Sequence, residues 1–291
     1  ARRVVKLLVP GAEPRQELRY VPKAGDTGSV TMRTKMSSKG EIGGMPINMA
    51  LPTMVMVMDI AITEVHPNGD ISYNAVISSV DVEAGEDDLA AMVNAMKGAM
   101  RSMIGTKVSA VITDRGETKK AEFSVPEDAN PMSVQMMDAF KQTANQVCTP
   151  LPDQPVGKGA KWEIVATIND AGMTMKQTTT MSIKELASDG FTADVDLKQA
   201  ADKQDIKLPQ MPPGYKVELV NFKGSAGGEI KATTSSILPV SSTMNISSDQ
   251  EIKVSDGTGE SQVMKQSTKI ELSLTSGPTQ KQETPAAPTA K

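Results

Sequence analysis

Methionine is the residue type whose number and spacing most suggest chemistry in this sequence. The chain has 20 methionines among 291 residues, while aromatic residues make up only 3%. Three alternate at Met54, Met56 and Met58, and four recur at helical spacing at Met92, Met96, Met100 and Met103. Thioether sulfur is a ligand that Cu(I) prefers, so the alternating set predicts one soft-metal site. The same unbranched side chain also fills irregular gaps and adapts to apolar partners.

Cu(I) binding is the less favoured interpretation, because no histidine or cysteine lies near Met54–Met58 in sequence to complete a site. The favoured interpretation is an apolar ligand-binding face that comprises all seven methionines, with no metal and no cofactor. A simpler alternative stays open, in which the helical set packs against a sheet and fills the interior.

The other reactive side chains do not predict catalysis. The single histidine and single cysteine exclude intramolecular disulfides and two-histidine metal centres. His66 directly precedes a Pro67-Asn68-Gly69 turn, which is typical of a surface residue rather than a general base. Cys148 falls at the end of a predicted helix, where the dipole does not stabilise a thiolate. We therefore expect a non-enzymatic protein without catalytic residues.

Charge and hydropathy limit the partners. The formal net charge is −4, and acidic and basic residues are interspersed, so nucleic acid is not an expected partner. No stretch approaches the roughly 20 apolar residues of a membrane-spanning helix. Expected partners are a hydrophobic small molecule, a lipid or an envelope protein.

Alternating apolar residues predict the strands that carry the methionines. Val55–Val65 and Ile71–Val82 flank an Asn-Gly turn and predict a hairpin. Met173–Leu186 and Phe191–Leu197 predict a second hairpin, and aligning Glu64 with Glu185 suggests an internal repeat. Further strands are predicted at Ser29–Ser37, Lys107–Thr113, Lys119–Val125, Lys161–Ile168, Glu229–Ile237, Ser242–Ser247, Gln250–Val254 and Gln262–Leu274. Gly43-Gly44 and Gly227-Gly228 are interpreted as turns or bulges.

Two amphipathic helices are predicted, both in the first half of the chain. Glu86–Ile104 carries acids in its first turn, an apolar stripe and Gly105 just past its end. Pro131–Cys148 begins with Asn130 as cap and Pro131 at the first helical position.

The predicted fold class is mainly β (α+β), with two related antiparallel curved sheets or half-barrels and the two helices covering an apolar face. Residues 1–24 form an extended N-terminal segment, and residues 25–149 form the first β-rich half with both helices. Residues 150–276 form the second half, which contains a Pro/Gly-rich loop at Leu208–Gly214. Residues 277–291 form a tail rich in Pro, Thr and Ala, which is expected to be disordered.

Parts of the sequence resemble a known group of proteins. The resemblance is carried by Pro10–Tyr20, Lys23–Met36, and the G-x-G-A-x-W motif formed by Gly157, Gly159, Ala160 and Trp162 within Pro150–Glu163. These segments resemble uncharacterised exported bacterial proteins, predicted lipoproteins of the DUF6263 type. The resemblance implies a β-rich fold and a periplasmic or outer-membrane-associated location after signal removal, but no activity. The lipid-bearing cysteine expected of such lipoproteins is missing from this sequence, either because the start has been removed or because this member is not lipidated, and Cys148 cannot fill that role.

The leading functional prediction is a non-enzymatic cell-envelope protein that binds a hydrophobic ligand, lipid or client through the methionine-rich face. A structural or assembly subunit of an envelope complex is the alternative, favoured by the extended N-terminal segment and the Pro-rich tail. Methionine-based Cu(I) binding is the third.

Overall fold

Strands dominate the structure of this protein. The computed structural model describes residues 3–85, 90–124, 148–170, 172–206, 215–256 and 261–278. The elements are β1 (Arg3–Val9), β2 (Thr27–Ile42), β3 (Met45–Val65), β4 (Ile71–Glu83), α1 (Ala90–Arg101), β5 (Lys107–Ile112), β6 (Thr118–Ser124), β7 (Lys161–Asp170), β8 (Met173–Ala187), β9 (Gly190–Ala201), β10 (Gln204–Ile206), β11 (Lys216–Thr233), β12 (Pro239–Ser255) and β13 (Ser261–Gly277). The predicted mainly β class is confirmed.

All the described strands belong to one antiparallel sheet. Its order is β1-β7-β8-β9-β11-β12-β13-β2-β3-β4-β5-β6, and β10 pairs with β11. The prediction of two separate sheets is therefore wrong. The two halves join where β13 pairs with β2, from Gly277 opposite Ser29 to Met264 opposite Ile42. Each of these long strands would otherwise expose a row of unpaired N–H and C=O groups, so joining them satisfies both edges.

The N-terminal segment is attached to the second half of the chain. β1 pairs with β7, with Arg3 opposite Ala166. Further along, the Ala12 amide donates to the Lys158 carbonyl at 2.9 Å. The Tyr20 amide then donates to the carbonyl of Asp114, which lies between β5 and β6, at 2.6 Å. This segment therefore connects the two distant ends of the sheet.

One of the two predicted helices lies within the described residues. α1 covers the centre of the predicted Glu86–Ile104 helix, and Gly105 past its end has a φ of 87°. Gly105 thus adopts the left-handed conformation that commonly ends a helix, as its position predicts. The predicted helix at Pro131–Cys148 lies outside the described residues except for Cys148, as does the predicted loop at Leu208–Gly214.

The two glycine pairs that were predicted to form turns or bulges differ in the structure. Gly43-Gly44 forms the predicted turn between β2 and β3, with φ values of 57° and 84°. Gly227-Gly228 is neither turn nor bulge, because both glycines lie inside β11 and pair regularly with β9 and β12. The segments Ser242–Ser247 and Gln250–Val254 are parts of the single strand β12. A glycine inside a strand can also mark a position where neighbouring groups approach closely. Gly228 is such a position.

The two predicted hairpins share unusual backbone details. The strand pairing shifts by one residue between Ile62 and Glu64, and again between Ile183 and Glu185. The Ile62 carbonyl accepts the amide of Gly25 at 2.8 Å, and the Ile183 carbonyl accepts the amide of Gly159 at 3.0 Å. Both glycines have positive φ. These correspondences are what the predicted internal repeat would produce.

The main core lies on one side of the sheet, which we call the inner face. It is the side that carries Trp162, Met181 and Ile230, all buried in one hydrophobic cluster. The opposite, outer face carries charged side chains such as Lys198 and Asp196. Since strand residues alternate between faces, the inner positions of each strand recur every second residue.

Candidate functional site

An apolar cavity lies on the inner face. Its volume is about 250 Å³. Ile164 on β7 and Met58 on β3 both line it, although these strands are far apart in the sheet order. The sheet therefore curves strongly enough to bring distant strands around one space.

The cavity wall is built from inner-face positions that face each other across neighbouring strands. Val195 on β9 lies opposite Met181 on one side and Gly228 on the other. Gly228 lies opposite Met244, and Met244 lies opposite Leu272. The lining includes the methionines Met32, Met56, Met58, Met181 and Met244, and the branched residues Val30, Ile164, Val195, Leu197, Ile230, Ile246, Leu272 and Leu274.

The seven methionines of the predicted face are divided between three places. Met56 and Met58 line the cavity. Met54 packs with Met96 and Met100 of α1 in a separate cluster around Val82 and Val93. Met103 is buried in the main core, and Met92 on α1 is half-buried. The strand set and part of the helix set thus meet at Met54, and the cavity lies beside that contact.

Sequence reasoning missed Met32, Met181 and Met244. Met244 is the one methionine of β12, and Met32 and Met181 lie at least four positions from the next methionine of their strands, so no close methionine repeat marks them. The available signal was alternation: Met181 follows Gln177 and Thr179 at a period of two along β8, and all three line the cavity. By contrast, Met173 and Met175 of the same strand belong to a second buried cluster with Leu219 and Phe222.

The segment from Cys148 to Pro152 closes part of the cavity. Cys148, Thr149 and Pro150 line it. The fully buried Trp162 donates from Nε1 to the Pro150 carbonyl at 3.0 Å, and the Tyr20 hydroxyl donates to the Thr149 carbonyl at 3.0 Å. The motif tryptophan is thus a structural anchor for this segment.

Cys148 is a buried free thiol at the cavity wall. Burial raises the pKa of this thiol to about 12, and the nearby Arg3 guanidinium opposes the rise only in part. The thiol therefore stays neutral at physiological pH, which makes it a poor nucleophile. This agrees with the expectation that no thiolate is stabilised at Cys148.

Polar groups gather at one end of the cavity. Arg3 lies opposite Ala166, Ala166 lies opposite Gln177, and Gln177 lies opposite Gln199. Arg3 and Gln177 line the cavity, and the Gln199 amide donates to the Gln177 side-chain oxygen at 2.9 Å. Among the described residues that line the cavity, Arg3 is the only charged one. Sequence reasoning treated it as part of an extended N-terminal segment.

The apolar character of the inner face continues along β3 beyond the cavity. Leu51 is half-buried, whereas Met49, Ile47 and Met45 are exposed towards the β2–β3 turn. These four residues alternate with Ala50, Asn48 and Pro46 and so share one face. The inner face therefore presents accessible apolar surface next to the cavity.

His66 has partners that the sequence did not reveal. Its Nε2 lies 2.8 Å from the Ser72 hydroxyl, and its Nδ1 lies 3.2 Å from a Glu64 carboxylate oxygen. This order resembles a serine-hydrolase triad, but the group lies at the β3–β4 turn, Glu64 is exposed, and none of the three residues lines the cavity. Triad catalysis relies on a water-excluded site with oxyanion donors. The arrangement is better explained as hydrogen bonding that orders the turn.

The predicted resemblance to DUF6263-type proteins is confirmed over part of the chain. The model of DUF6263, a family of unknown function, matches residues 134–239. That range includes the motif tryptophan and the strands β7 to β11. A search of curated proteins gave no match.

Comparison with solved structures gave only distant alignments. A mutant of the Rh. blastica porin with five substitutions aligns at 6% identity and a TM-score of 0.21, covering 87% of this chain and 99% of that chain. A second mutant of that porin aligns at 6% identity and a TM-score of 0.20, with the same coverage. Alignments at such TM-scores carry no argument about this protein.

Among the described residues, no helix has the length and hydropathy of a membrane span. The same residues contain no group of three or more His, Cys, Asp or Glu side chains placed to hold a metal ion.

Proposed function

We propose that this protein is a non-enzymatic binding protein that takes the apolar part of a small molecule or lipid into the cavity on the inner face. The observation that carries the proposal is the cavity itself, about 250 Å³ in volume and lined mainly by apolar side chains. Ligand sites are usually concave and apolar, with a few polar groups that fix orientation. This cavity has both features.

The size of the cavity favours a slender ligand. Ligand pockets usually measure about 300–1,000 Å³, so this one is near the lower limit. A single hydrocarbon chain or a small apolar molecule fits that limit better than a lipid with several chains. Five methionines in the wall support the same view, because their flexible side chains can adjust to ligands of differing length.

Binding can be tested with a neutral apolar dye and a matched pair of variants. Thr179 lines the cavity, and the adjacent Thr180 points to the outer face of the same strand. Thr179→Trp places an indole in the cavity, whereas Thr180→Trp places the same group outside it. We expect N-phenyl-1-naphthylamine to bind the wild type and Thr180→Trp with similar affinity, and Thr179→Trp at least about tenfold more weakly, which is about 1.4 kcal/mol.

The native ligand can be sought in parallel by mass spectrometry of organic extracts from the purified protein. Equal dye affinity of the two tryptophan variants, with both variants folded by circular dichroism, would show that the dye binds elsewhere. Absence of dye binding to the wild type, stripped of extractable material, would contradict the proposal.

The cell-envelope location rests on the resemblance to DUF6263-type proteins. Fractionation of cells expressing the natural gene would test it. Cu(I) binding by the cavity thioethers is a separate prediction, and competition with a Cu(I) chelator would test it. A role as an assembly subunit predicts a stoichiometric copurifying protein.

A further inference from the structure

A row of uncharged, mainly polar residues borders the cavity on the inner face. We call it the polar row; its members pair directly across neighbouring strands from β8 to β2 and are Gln177, Gln199, Gly224, Ser248, Thr268 and Ser38. The adjacent inner row on the cavity side is mainly apolar and consists of Thr179, Leu197, Ala226, Ile246, Ile270 and Met36. The apolar wall therefore ends at groups that form hydrogen bonds without carrying charge.

We propose that the ligand is an uncharged single-chain amphiphile, whose hydrocarbon chain lies along the methionine-lined wall and whose headgroup hydrogen-bonds to Gln177 in the polar row. The inference rests on the proposed function and adds the chemical class of the ligand. Gln177 and Met181 both line the cavity, and their spacing along β8 leaves roughly 14 Å for the chain, at about 3.4 Å per residue. Hydroxyl, ester and amide headgroups share the required chemistry, because each accepts an N–H donor and none is ionised at neutral pH.

Gln177 has hydrogen-bonding capacity left for a ligand. Its side chain is buried and lines the cavity. Its amide oxygen accepts the Gln199 amide at 2.9 Å, and within the described part of the chain its side chain forms no other hydrogen bond. A glutamine amide has two N–H donors, and in apolar surroundings such donors are costly without an acceptor. A headgroup oxygen would supply that acceptor.

The amides near the cavity are held in fixed orientations. Gly224 leaves room for the Gln199 side chain, because a Cβ at Gly224 would lie 2.7 Å from the Gln199 side-chain oxygen. At the β2 end of the polar row, the Gln266 amide donates to the Ser38 hydroxyl at 2.7 Å, and its oxygen accepts the Gln250 amide at 2.7 Å. Connected hydrogen bonds restrict the rotation of each side chain. A headgroup at the polar row therefore meets donors and acceptors that are already oriented.

The polar row discriminates against ionised headgroups. None of its members is charged, and Arg3, which faces Ala166 next to Gln177, already has an interaction of its own. A carboxylate or ammonium headgroup placed against the row would lose water without gaining a counter-charge. An uncharged headgroup loses less hydration and regains hydrogen bonds from the amides. The row therefore favours an alcohol, ester or amide over an anion or a cation.

The test compares headgroups on one chain length with the wild-type protein. Monododecanoylglycerol, dodecanoate and dodecyltrimethylammonium are titrated against bound N-phenyl-1-naphthylamine at neutral pH, where the carboxylate is ionised, and below their critical micelle concentrations. We expect the glycerol ester to bind at least about tenfold more tightly than either ion, because it gains hydrogen bonds without losing ionic hydration.

A matched pair of variants locates the headgroup. Gln177→Met keeps the length of the side chain but removes its amide, and it should weaken binding of the glycerol ester about tenfold more than it weakens binding of the dye. Thr178→Met places the same side chain on the outer face, since Thr178 alternates with the cavity residues Gln177 and Thr179, and it should retain the wild-type affinities. Equal affinity of the two folded variants for the glycerol ester would place the headgroup away from Gln177 and overturn the inference.

Two further outcomes overturn the inference and separate it from the proposed function. If either ion binds the wild type as tightly as the glycerol ester, the uncharged headgroup is refuted while cavity binding stands. If neither the dye nor any amphiphile binds, the proposed function fails and the inference fails with it. The comparison of headgroups uses the wild type alone, so it decides the matter even where Gln177→Met does not fold.

Discussion

Two adjacent glycines in β11 provide a sharp test of how closely the inner face is packed. A Cβ added at Gly228 would lie 1.9 Å from the Thr243 carbonyl oxygen and 2.7 Å from the Met244 sulfur. A Cβ added at Gly227 would meet nothing within 4 Å. Both glycines lie in the same strand pairings, so the variants Gly228→Ala and Gly227→Ala differ only in the face that receives the methyl group.

The expected magnitudes follow from these distances. Relief of the contact at Gly228 requires a movement of roughly 1.5 Å, since non-bonded heavy atoms prefer about 3.5 Å. Such overpacking costs about 1–3 kcal/mol, and disturbing one strand hydrogen bond adds about 1 kcal/mol. We therefore expect Gly228→Ala to lower the free energy of unfolding by about 2–4 kcal/mol. Gly227→Ala should raise it by about 0.4–1 kcal/mol, because alanine restricts the unfolded chain.

Urea denaturation followed by far-ultraviolet circular dichroism measures both variants. With a slope of about 3 kcal/mol per molar urea, a difference near 3 kcal/mol separates the midpoints by about 1 M. Equal midpoints for the two variants would refute the reasoning, because they would mean that β12 does not approach β11 closely at Gly228.

Four further predictions concern the groups around the cavity and the β3–β4 turn. Trp162→Phe leaves the buried Pro150 carbonyl without its donor and should cost about 1–3 kcal/mol in urea denaturation; an unchanged midpoint contradicts this. The pKa of the Cys148 thiol is raised from 9.0 to about 12, so this thiol should carry about a thousandfold less thiolate than an ordinary one. It should therefore react slowly with iodoacetamide until urea unfolds the chain. Rapid labelling of the folded protein would contradict this prediction. The pKa of the Cys148 thiol is higher in the folded than in the unfolded chain, so its contribution to stability is complete below pH 9 and declines as the pH rises towards 12. Urea midpoints measured at several pH values relative to Cys148→Ala would show this decline. Finally, Ser72→Ala should leave any hydrolysis of p-nitrophenyl acetate unchanged, and a loss of activity would instead make His66 and Ser72 a catalytic pair.

The local part of the fold could be predicted because it is encoded in short segments. Alternating apolar residues around an Asn-Gly turn place β3 and β4, and the shared turn chemistry places β8 and β9. The pairing of β13 with β2 could not be predicted in this way. It joins Ile270 to Met36, and nothing in the local sequence of either strand specifies a partner so distant along the chain.

The candidate site, like the fold, could be predicted only where the signal lies within one short segment. Met56 and Met58 were predicted because their repeat is visible within one strand. Arg3 was missed because its place in the cavity wall depends on β1 lying beside β7, so that Arg3 faces Ala166 at the cavity end. The prediction for Gly227-Gly228 was wrong because a glycine pair inside a strand has the same local composition as a turn.

The cavity also bears on the stability of the ligand-free protein. An enclosed empty apolar cavity costs about 24 cal/mol per Å³, so about 6 kcal/mol is the upper limit for a volume of about 250 Å³ that is partly open to solvent. That figure is comparable with the whole net stability of an ordinary domain, about 5–15 kcal/mol. Thr179 and Ser242 both line the cavity with small side chains where larger apolar ones would fill it. If the cavity served only packing, filling it would carry no disadvantage. Under the proposed function, filling the cavity has a disadvantage, because Thr179→Trp would raise the stability of the ligand-free protein but weaken ligand binding. Such a trade-off between stability and function is expected where a site needs space.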